Sequence, residues 1–330
     1  MTSPTDLARW LFWVHLRRVI RADRPRRLDA FHRLWRAQHA SARDGRGLMA
    51  EEFSAILGAV PPGLVADAYR AGFRANASEL LFDTLSAETA GQYLVVEGEE
   101  HLAAARAPGR GALILLPHAG AFFLMNAVLG YRGVPMTQYV ARGVAPEEVA
   151  RANPELLAAT RWRVETREVR EAAEDKLPVH FFSGRPARPH LMGCLERNEV
   201  ITLCFDGRLS RQFALVPFLG REALLSPGPF QLAIASGSAL IPAICHQPMT
   251  GPGVATLAPP LFPEPGESWQ ALMARFFAGD IERLTRAHLA DYGIYLVHCR
   301  RRRAVDDRPL FIDYAADTRW QHYIREAEPD

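Results

Sequence analysis

The segment at residues 111–120, GALILLPHAG, constrains the fold of this chain more than any other. Its five consecutive apolar residues before Pro117 have the length and composition of a strand buried on both faces, as in a parallel sheet. In α/β proteins the carboxyl ends of such strands carry the chemically active side chains. The pattern therefore places His118 at the functional edge of a sheet. An imidazole that titrates near neutral pH is a candidate general base there.

The chain after residue 92 alternates between short apolar runs and helical patterns. The runs are YLVVEG, ALILLP, PMTQYVA, VITLCFD, ALIPAICHQ and VATLAPPL. Strands that alternate with helices predict an α/β domain of three layers, with a central, mostly parallel sheet flanked by helices. Residues 268–290 predict another helical stretch, and YGIYLVH after it predicts a strand or an extended segment.

The first 90 residues differ from the rest because arginine, alanine and leucine dominate them. Apolar residues recur at spacings of three and four in AEEFSAILGAV and VADAYRAGFRANASELLFDTL, and the pair Pro61-Pro62 separates these two predicted helices. We therefore expect a helical amino-terminal extension over residues 1–90, an α/β domain over 91–305 and a tail over 306–330.

Composition and charge narrow the function classes. The 330 residues are 48% hydrophobic, and 39 basic residues nearly balance 37 acidic ones, so nothing favours a nucleic-acid partner. The four cysteines are scattered without a C-x-x-C pair, which predicts buried, reduced thiols in a cytoplasmic protein. The chain has no zinc-ligand spacing, Walker loop, dinucleotide fingerprint or G-x-S-x-G elbow, so we expect no metal, nucleotide cofactor or acyl-serine.

A second candidate site residue ends another apolar run. Asp206 closes VITLCFD much as His118 closes its own run, so both side chains are expected at the same edge of the sheet. A turn or helix-capping role before Gly207 fits Asp206 equally well.

Several blocks together resemble the bacterial lipid A acyltransferase family and the related mannoside acyltransferases of the lysophospholipid acyltransferase superfamily. They are EGEEHLAAARAPGRGALILLPHAGAFFL, the stretch from LMGCLERNEV to ALIPAICH, and LADYGIYLVHCRRRR, in the family's order over roughly residues 68–303. The resemblance implies an acyltransferase in the cytoplasm or at the inner membrane face. Its donor would be acyl-coenzyme A or an acyl carrier protein, and its acceptor a hydroxyl or amine of a lipid or a small-molecule intermediate. No permanently bound cofactor is implied, and His118 would remove the acceptor's proton.

One position departs from the family pattern. The family's H-x4-D/E motif places an acid five positions after the histidine, where it orients the imidazole, but this chain has Phe123 there. Asp206 or Glu199 is expected to replace that acid, or His118 works with a backbone carbonyl. If acyl transfer has been lost, the chain is a binding protein without turnover, or a hydrolase or condensing enzyme that uses the same histidine.

The resemblance also implies contacts with the donor. Arg142 matches a family arginine after the equivalent strand and is a candidate ligand for the donor's phosphates. Arg208 and Arg211, which flank Asp206 in the sequence, are further candidates because arginine pairs with phosphate, and a role as solvated loop arginines fits them equally well. The segment VPFLGREALLSPGP is expected to shape the acyl and acceptor pocket. Backbone amides near Ser226 and Gly228 are expected to face the thioester oxygen as it becomes an oxyanion.

Two segments bear on partners and membranes. LARWLFWVHL near the amino terminus is about ten residues long, whereas a bilayer span needs about 20. It therefore predicts a short amphipathic helix that lies on the protein body, on a membrane surface or against a carrier protein. Four arginines at residues 300–303 predict a positive patch for an acidic carrier protein, coenzyme A phosphates or an anionic membrane.

Overall fold

The structure of the protein is a computed structural model. It describes residues 43–79, 82–140, 161–183, 187–208, 210, 212–248, 251–302, 308–315 and 317–324. The aromatic run LARWLFWVHL lies outside the described residues, so the prediction made for it stays a prediction.

A seven-stranded sheet forms the centre of the molecule. Its strands are β1 (Leu94–Glu97), β2 (Ala112–Leu116), β3 (Met136–Tyr139), β4 (Val179–Phe182), β5 (Val200–Cys204), β8 (Ala239–His246) and β9 (Gly253–Leu257). They lie in the order β1-β9-β8-β2-β5-β3-β4, and every pair is parallel except β8 with β9. The predicted α/β fold with a mostly parallel central sheet is therefore confirmed. Strands β6 (Ala214–Phe218) and β7 (Arg221–Leu225) form a separate antiparallel hairpin.

Helices cover both faces of this sheet. They are α1 (Arg43–Leu57), α2 (Leu64–Glu79), α3 (Glu99–Arg106), α4 (Phe122–Tyr131), α5 (Arg161–Glu174), α6 (Ala187–Glu196), α7 (Gly228–Ser236), α8 (Trp269–Phe277), α9 (Asp280–Ala287) and α10 (Leu289–Arg302). All five residues of β2 are buried, and they alternate between two cores: Leu113 and Leu115 belong to one, Ile114 and Leu116 to the other. Because β2 is covered on both sides, its sequence is uniformly apolar.

The carboxyl-terminal part of the chain differs from the sequence prediction in two places. YGIYLVH is not extended but lies inside α10, because Tyr292, Leu296 and Cys299 point to the core at helical spacing. The predicted helical stretch at residues 268–290 is divided into α8 and α9 at Gly279. Strand β4 and the β6–β7 hairpin were not predicted from the apolar runs.

The amino-terminal helices pack against α10. Gly293 permits this approach, because a Cβ atom there would lie 2.7 Å from the Phe53 ring and 3.0 Å from the Ala68 side chain. Nearby, the fully buried Glu52 accepts hydrogen bonds from Arg221 on β7 and from Arg300 on α10. Since Arg300 is paired inside the protein, its assignment to a free positive patch is wrong. No helix among the described residues has the length and hydrophobicity needed to cross a membrane.

Candidate active site

His118 stands at the end of the central strand β2, as the sequence predicts. The chain turns sharply after it at Gly120, whose φ is +60° and whose missing side chain leaves room for the Cys245 carbonyl. About a third of the His118 side chain is exposed, at 34%. The imidazole therefore lies at the sheet edge where a substrate can reach it.

Asp206 occupies the corresponding position after the neighbouring strand β5. The parallel register pairs Leu116 with Cys204, so the residues two positions further along meet at the same edge. The Asp206 Oδ1 atom lies 2.6 Å from His118 Nδ1, and its Oδ2 atom accepts a hydrogen bond from the His118 backbone N–H at 2.9 Å. Asp206 has no exposed surface. The structure thus brings a buried carboxylate to the imidazole although position 123 carries none.

Two tyrosines of α10 complete this arrangement. The Tyr292 hydroxyl donates to Asp206 Oδ2 at 2.8 Å, and the Tyr295 hydroxyl donates to the Asp206 carbonyl oxygen at 2.9 Å. The Tyr295 ring also stacks on His118, with centroids 4.4 Å apart and planes 10° from parallel. Sequence reasoning missed both residues because it treated YGIYLVH as extended. Their spacing of three, which places two side chains on one helix face, was the available signal.

The pKa values of the pair shift in opposite directions. Burial would lower the pKa of His118, but its charge interactions and hydrogen bonds with Cys204 and Asp206 raise it well above its usual value. Burial would raise the pKa of Asp206, but the His118 imidazolium and the hydrogen bonds from His118 and Tyr292 hold it below its usual range. Burial raises the pKa of Cys204, so at neutral pH its thiol is uncharged and Asp206 supplies the anion.

The Cys204 thiol lies beside the same pair. Its sulfur, a ring nitrogen of His118 and a carboxylate oxygen of Asp206 all lie within 4.8 Å of one another. The side chain is partly exposed, whereas those of Cys194, Cys245 and Cys299 are buried. Cys204 is therefore the cysteine that departs from the predicted burial of the thiols.

A second group of potential metal ligands consists of His246, His288 and Asp291. The two imidazole rings stack with centroids 4.0 Å apart and planes 17° from parallel. In-plane lone pairs of nearly parallel, stacked rings do not converge on one point, so we assign no metal to this group.

Phe123 belongs to an aromatic cluster rather than to the His118 pair. Its ring lies 4.5 Å from that of Phe122, 6.2 Å from that of Phe181 and 6.3 Å from that of Phe82. The Arg170 guanidinium lies over its face, 4.9 Å from the centroid. The neighbouring Phe122 contacts His118 edge-on, with centroids 5.8 Å apart.

Arg208 is buried and serves the backbone, which contradicts its expected role as a phosphate ligand. Its Nε donates to the Asp206 carbonyl oxygen at 2.9 Å, and its two terminal nitrogens donate to the carbonyls of Pro309 at 2.9 Å and Leu224 at 2.6 Å. Only 9% of the residue is exposed. Its N–H groups are therefore used in hydrogen bonds that stabilise the turn at Asp206. Arg142 and Arg211 lie outside the described residues, so their roles stay predictions.

Glu199 lies at the wrong edge of the sheet for the role expected of it. It precedes β5, and its carboxylate binds Arg197 at 2.7 Å and accepts from Thr137 at 3.2 Å. The five residues of β5 separate it from the Asp206 edge by roughly 16 Å of strand. Its assignment as the replacement acid is therefore wrong.

Ser226 and Gly228 lie between β7 and the start of α7. The Ser226 backbone N–H donates to the Phe205 carbonyl at 3.3 Å, which brings this segment next to Asp206. The Ser226 amide is thus engaged with the backbone. Gly228 is the first residue of α7, and its amide stays the candidate oxyanion donor.

Comparison with known proteins identifies the family. Residues 75–296 match the bacterial lipid A biosynthesis acyltransferase family. The chain belongs to this family. It is 27% identical over 259 residues to a phosphatidylinositol mannoside acyltransferase of Mycolicibacterium smegmatis, covering 77% of this chain and 76% of the relative. A Mycobacterium tuberculosis protein of the same name is 30% identical over 153 residues, covering 46% of this chain and 43% of that relative. The protein is therefore an acyltransferase, of a family that includes lipid acyltransferases.

Proposed function

We propose that this acyltransferase moves an acyl group from a coenzyme A or carrier-protein thioester to a hydroxyl or amine, with His118 as the general base. The 2.6 Å contact between His118 Nδ1 and the buried Asp206 carboxylate carries the proposal. A carboxylate on one ring nitrogen fixes the tautomer of a neutral imidazole and leaves the other nitrogen basic. Asp206 thus acts as the positioning residue that position 123 does not supply.

The proton steps follow from this arrangement. With Nδ1–H donating to Asp206, the Nε2 lone pair takes the acceptor's proton as its oxygen or nitrogen attacks the thioester carbonyl. The resulting imidazolium is stabilised by Asp206 and then protonates the departing thiol. The Tyr295 ring holds the imidazole plane, and Tyr292 keeps the carboxylate in place. Burial raises the pKa of the Tyr292 hydroxyl well above its usual value, so this group stays a donor.

The relatives' names favour one class of acceptor. Both are named as acyltransferases of phosphatidylinositol mannoside, which supports a hydroxyl of a glycosylated lipid as the acceptor here. A hydroxyl or amine of a small molecule is the second candidate acceptor. The amide of Gly228 is the proposed donor to the thioester oxyanion.

The test is thiol release from acyl-coenzyme A and acyl-carrier-protein donors, with and without glycolipid and small-molecule acceptors. We expect release that depends on an acceptor and falls at least about 100-fold in His118→Ala, as loss of a general base predicts. His101→Ala on α3 is the matched control and should behave as wild type, because it removes a partly exposed imidazole outside the site.

Three outcomes would contradict this proposal. Equal release without any acceptor indicates a thioester hydrolase. Donor binding that is unchanged in His118→Ala and is never followed by thiol release indicates a binding protein. Equal rates in wild type and His118→Ala show that the base lies elsewhere.

A further inference from the structure

Cys204 differs from the other cysteines in both surroundings and exposure. It ends β5 two residues before Asp206, and the residue is not fully buried. Its sulfur lies within 4.8 Å of a ring nitrogen of His118 and of a carboxylate oxygen of Asp206. Cys194, by contrast, is buried on α6 and contacts Thr137 and Arg197 near the opposite edge of the sheet. Direct transfer from donor to acceptor gives the Cys204 thiol no function.

A thiol, an imidazole and a buried carboxylate side by side form the arrangement that activates a nucleophile. The signature is a nucleophile within reach of a base that a third group orients, and such contacts are often longer without substrate. Here Asp206 holds the imidazole at Nδ1, and Tyr292 and the His118 backbone N–H hold Asp206. The base is therefore held in a fixed orientation, and the thiol lies beside it.

We propose that Cys204 is a nucleophile that carries the acyl group as an enzyme thioester between donor and acceptor. This inference rests on the proposed function, since it assumes a thioester donor and His118 as the base. It adds a covalent intermediate to a transfer that otherwise takes place in one step.

The first half-reaction exchanges one thioester for another. Neutral His118 takes the thiol proton as the Cys204 sulfur attacks the donor's carbonyl carbon, and a new S–C bond forms. The tetrahedral intermediate collapses by breaking the donor's S–C bond. The departing sulfur takes the proton from His118 and leaves as a free thiol. One thioester bond is broken and one is made, so no co-reactant is needed.

The second half-reaction uses the same base. His118 takes the proton of the acceptor hydroxyl or amine as it attacks the Cys204 thioester, and an ester or amide bond forms. The S–C bond to Cys204 breaks, and the sulfur recovers its proton from His118. This cycle lets the donor thiol leave before the acceptor binds.

The direct test needs no substitution. Wild-type protein is mixed with a slight excess of acyl-coenzyme A or acyl-carrier donor without acceptor, quenched in acid and measured by intact-protein mass spectrometry. We expect one added acyl mass, located on the peptide that contains Cys204 and removed by neutral hydroxylamine. Addition of acceptor before the quench should discharge it. No adduct on Cys204 within a single turnover, while product forms, overturns the inference.

The variants separate this inference from the proposed function. Cys204→Ala should lose the adduct and at least about 100-fold in kcat while it still binds donor. Cys194→Ala should keep both adduct and rate. Circular dichroism and a urea unfolding curve check that Cys204→Ala is folded. If Cys204→Ala is folded and keeps the wild-type kcat, Cys204 is not the nucleophile, but His118 can still be the base. If transfer is lost in His118→Ala and not in Cys204→Ala, the result supports the proposed function and contradicts the covalent intermediate.

Discussion

Replacement of Asp206 by asparagine tests the His118 pair most sharply, because the shape of the side chain is kept while its charge is removed. The amide oxygen can still accept from the His118 backbone N–H and from Tyr292, both now bonded to Oδ2. The amide NH2 then faces His118 Nδ1, 2.6 Å from the present Oδ1 position. Two N–H groups cannot face each other, so the imidazole proton moves to Nε2. The nitrogen that faces the substrate is then no longer a base.

The size of the effect follows from what is lost. General-base catalysis contributes about 10²–10⁴-fold, so kcat should fall by that factor, which is about 3–5 kcal/mol in activation free energy. The free energy of unfolding should fall much less, by roughly 1 kcal/mol, because a hydrogen bond to a charged group is replaced by a neutral one. A variant that loses activity with little loss of stability is therefore the expected result.

The pH dependence gives a second readout. In the wild type, kcat/KM should rise with pH as His118 loses its proton, with an apparent pKa above the usual 6.5 because Asp206 stabilises the imidazolium. Without that charge the pKa of His118 falls, so the remaining activity of Asp206→Asn should rise at lower pH. Because the pKa of His118 is raised in the folded state, protonation of His118 adds to the free energy of unfolding at low pH. This added stability is complete below pH 6.5 and is lost as the pH rises through the pKa of His118 in the folded protein. Asp206→Asn should lack it.

The assay is thiol release with product analysis over a pH series, alongside urea unfolding. Asp291→Asn is the matched control, because Asp291, on α10, is a second buried aspartate. Its carboxylate accepts a hydrogen bond from the Gln247 backbone N–H and not from His118. It should keep its rate. If Asp206→Asn keeps its rate within about threefold and its pH profile does not move, the orienting role assigned to Asp206 is refuted.

Three further substitutions test other parts of the structure. Arg208→Ala should lower the free energy of unfolding by about 3 kcal/mol or more in urea titrations, since the buried carbonyls of Leu224 and Pro309 lose the guanidinium donor and that of Asp206 keeps only Tyr295. An unchanged midpoint would contradict its structural role. Glu199→Gln should keep wild-type kcat, because the side chain lies at the opposite sheet edge, and a loss above about tenfold would contradict that placement. Phe123→Glu should give no gain in thiol release, because Asp206 already occupies the carboxylate position beside His118. It should lower the free energy of unfolding, because the Phe123 ring packs in an aromatic cluster. A faster enzyme would show that the site accepts the usual family acid.

The strands of the sheet and the meeting of His118 with Asp206 could be predicted from the sequence for a simple reason. Apolar runs buried on both faces are distinctive, and a residue that follows such a run must lie at the carboxyl edge. His118 and Asp206 both follow runs of this kind, so their meeting was predictable. The same rule, applied to Glu199, places it at the amino edge because it precedes its strand.

The remaining features depend on contacts between distant segments. The segment YGIYLVH is rich in β-branched and aromatic residues that favour strands, and its packing against α1 and α2 decides in favour of a helix. Local sequence contains no sign that Arg208 turns inward, since its carbonyl partners include Pro309, which is 101 residues away. Tertiary contacts therefore decide which polar residues near Asp206 are exposed.

The contacts that build the His118 pair also determine when the site can exist during folding. His118 and Asp206 are 88 residues apart, and Tyr292 lies a further 86 residues along the chain. Contacts over such separations form only after large loops have closed, which is slow compared with local helix formation. Enzymatic competence should therefore return with the last phase of refolding, when α10 docks. A growing polypeptide that has not yet reached Tyr295 has every residue of the pair but lacks the helix that holds the imidazole plane.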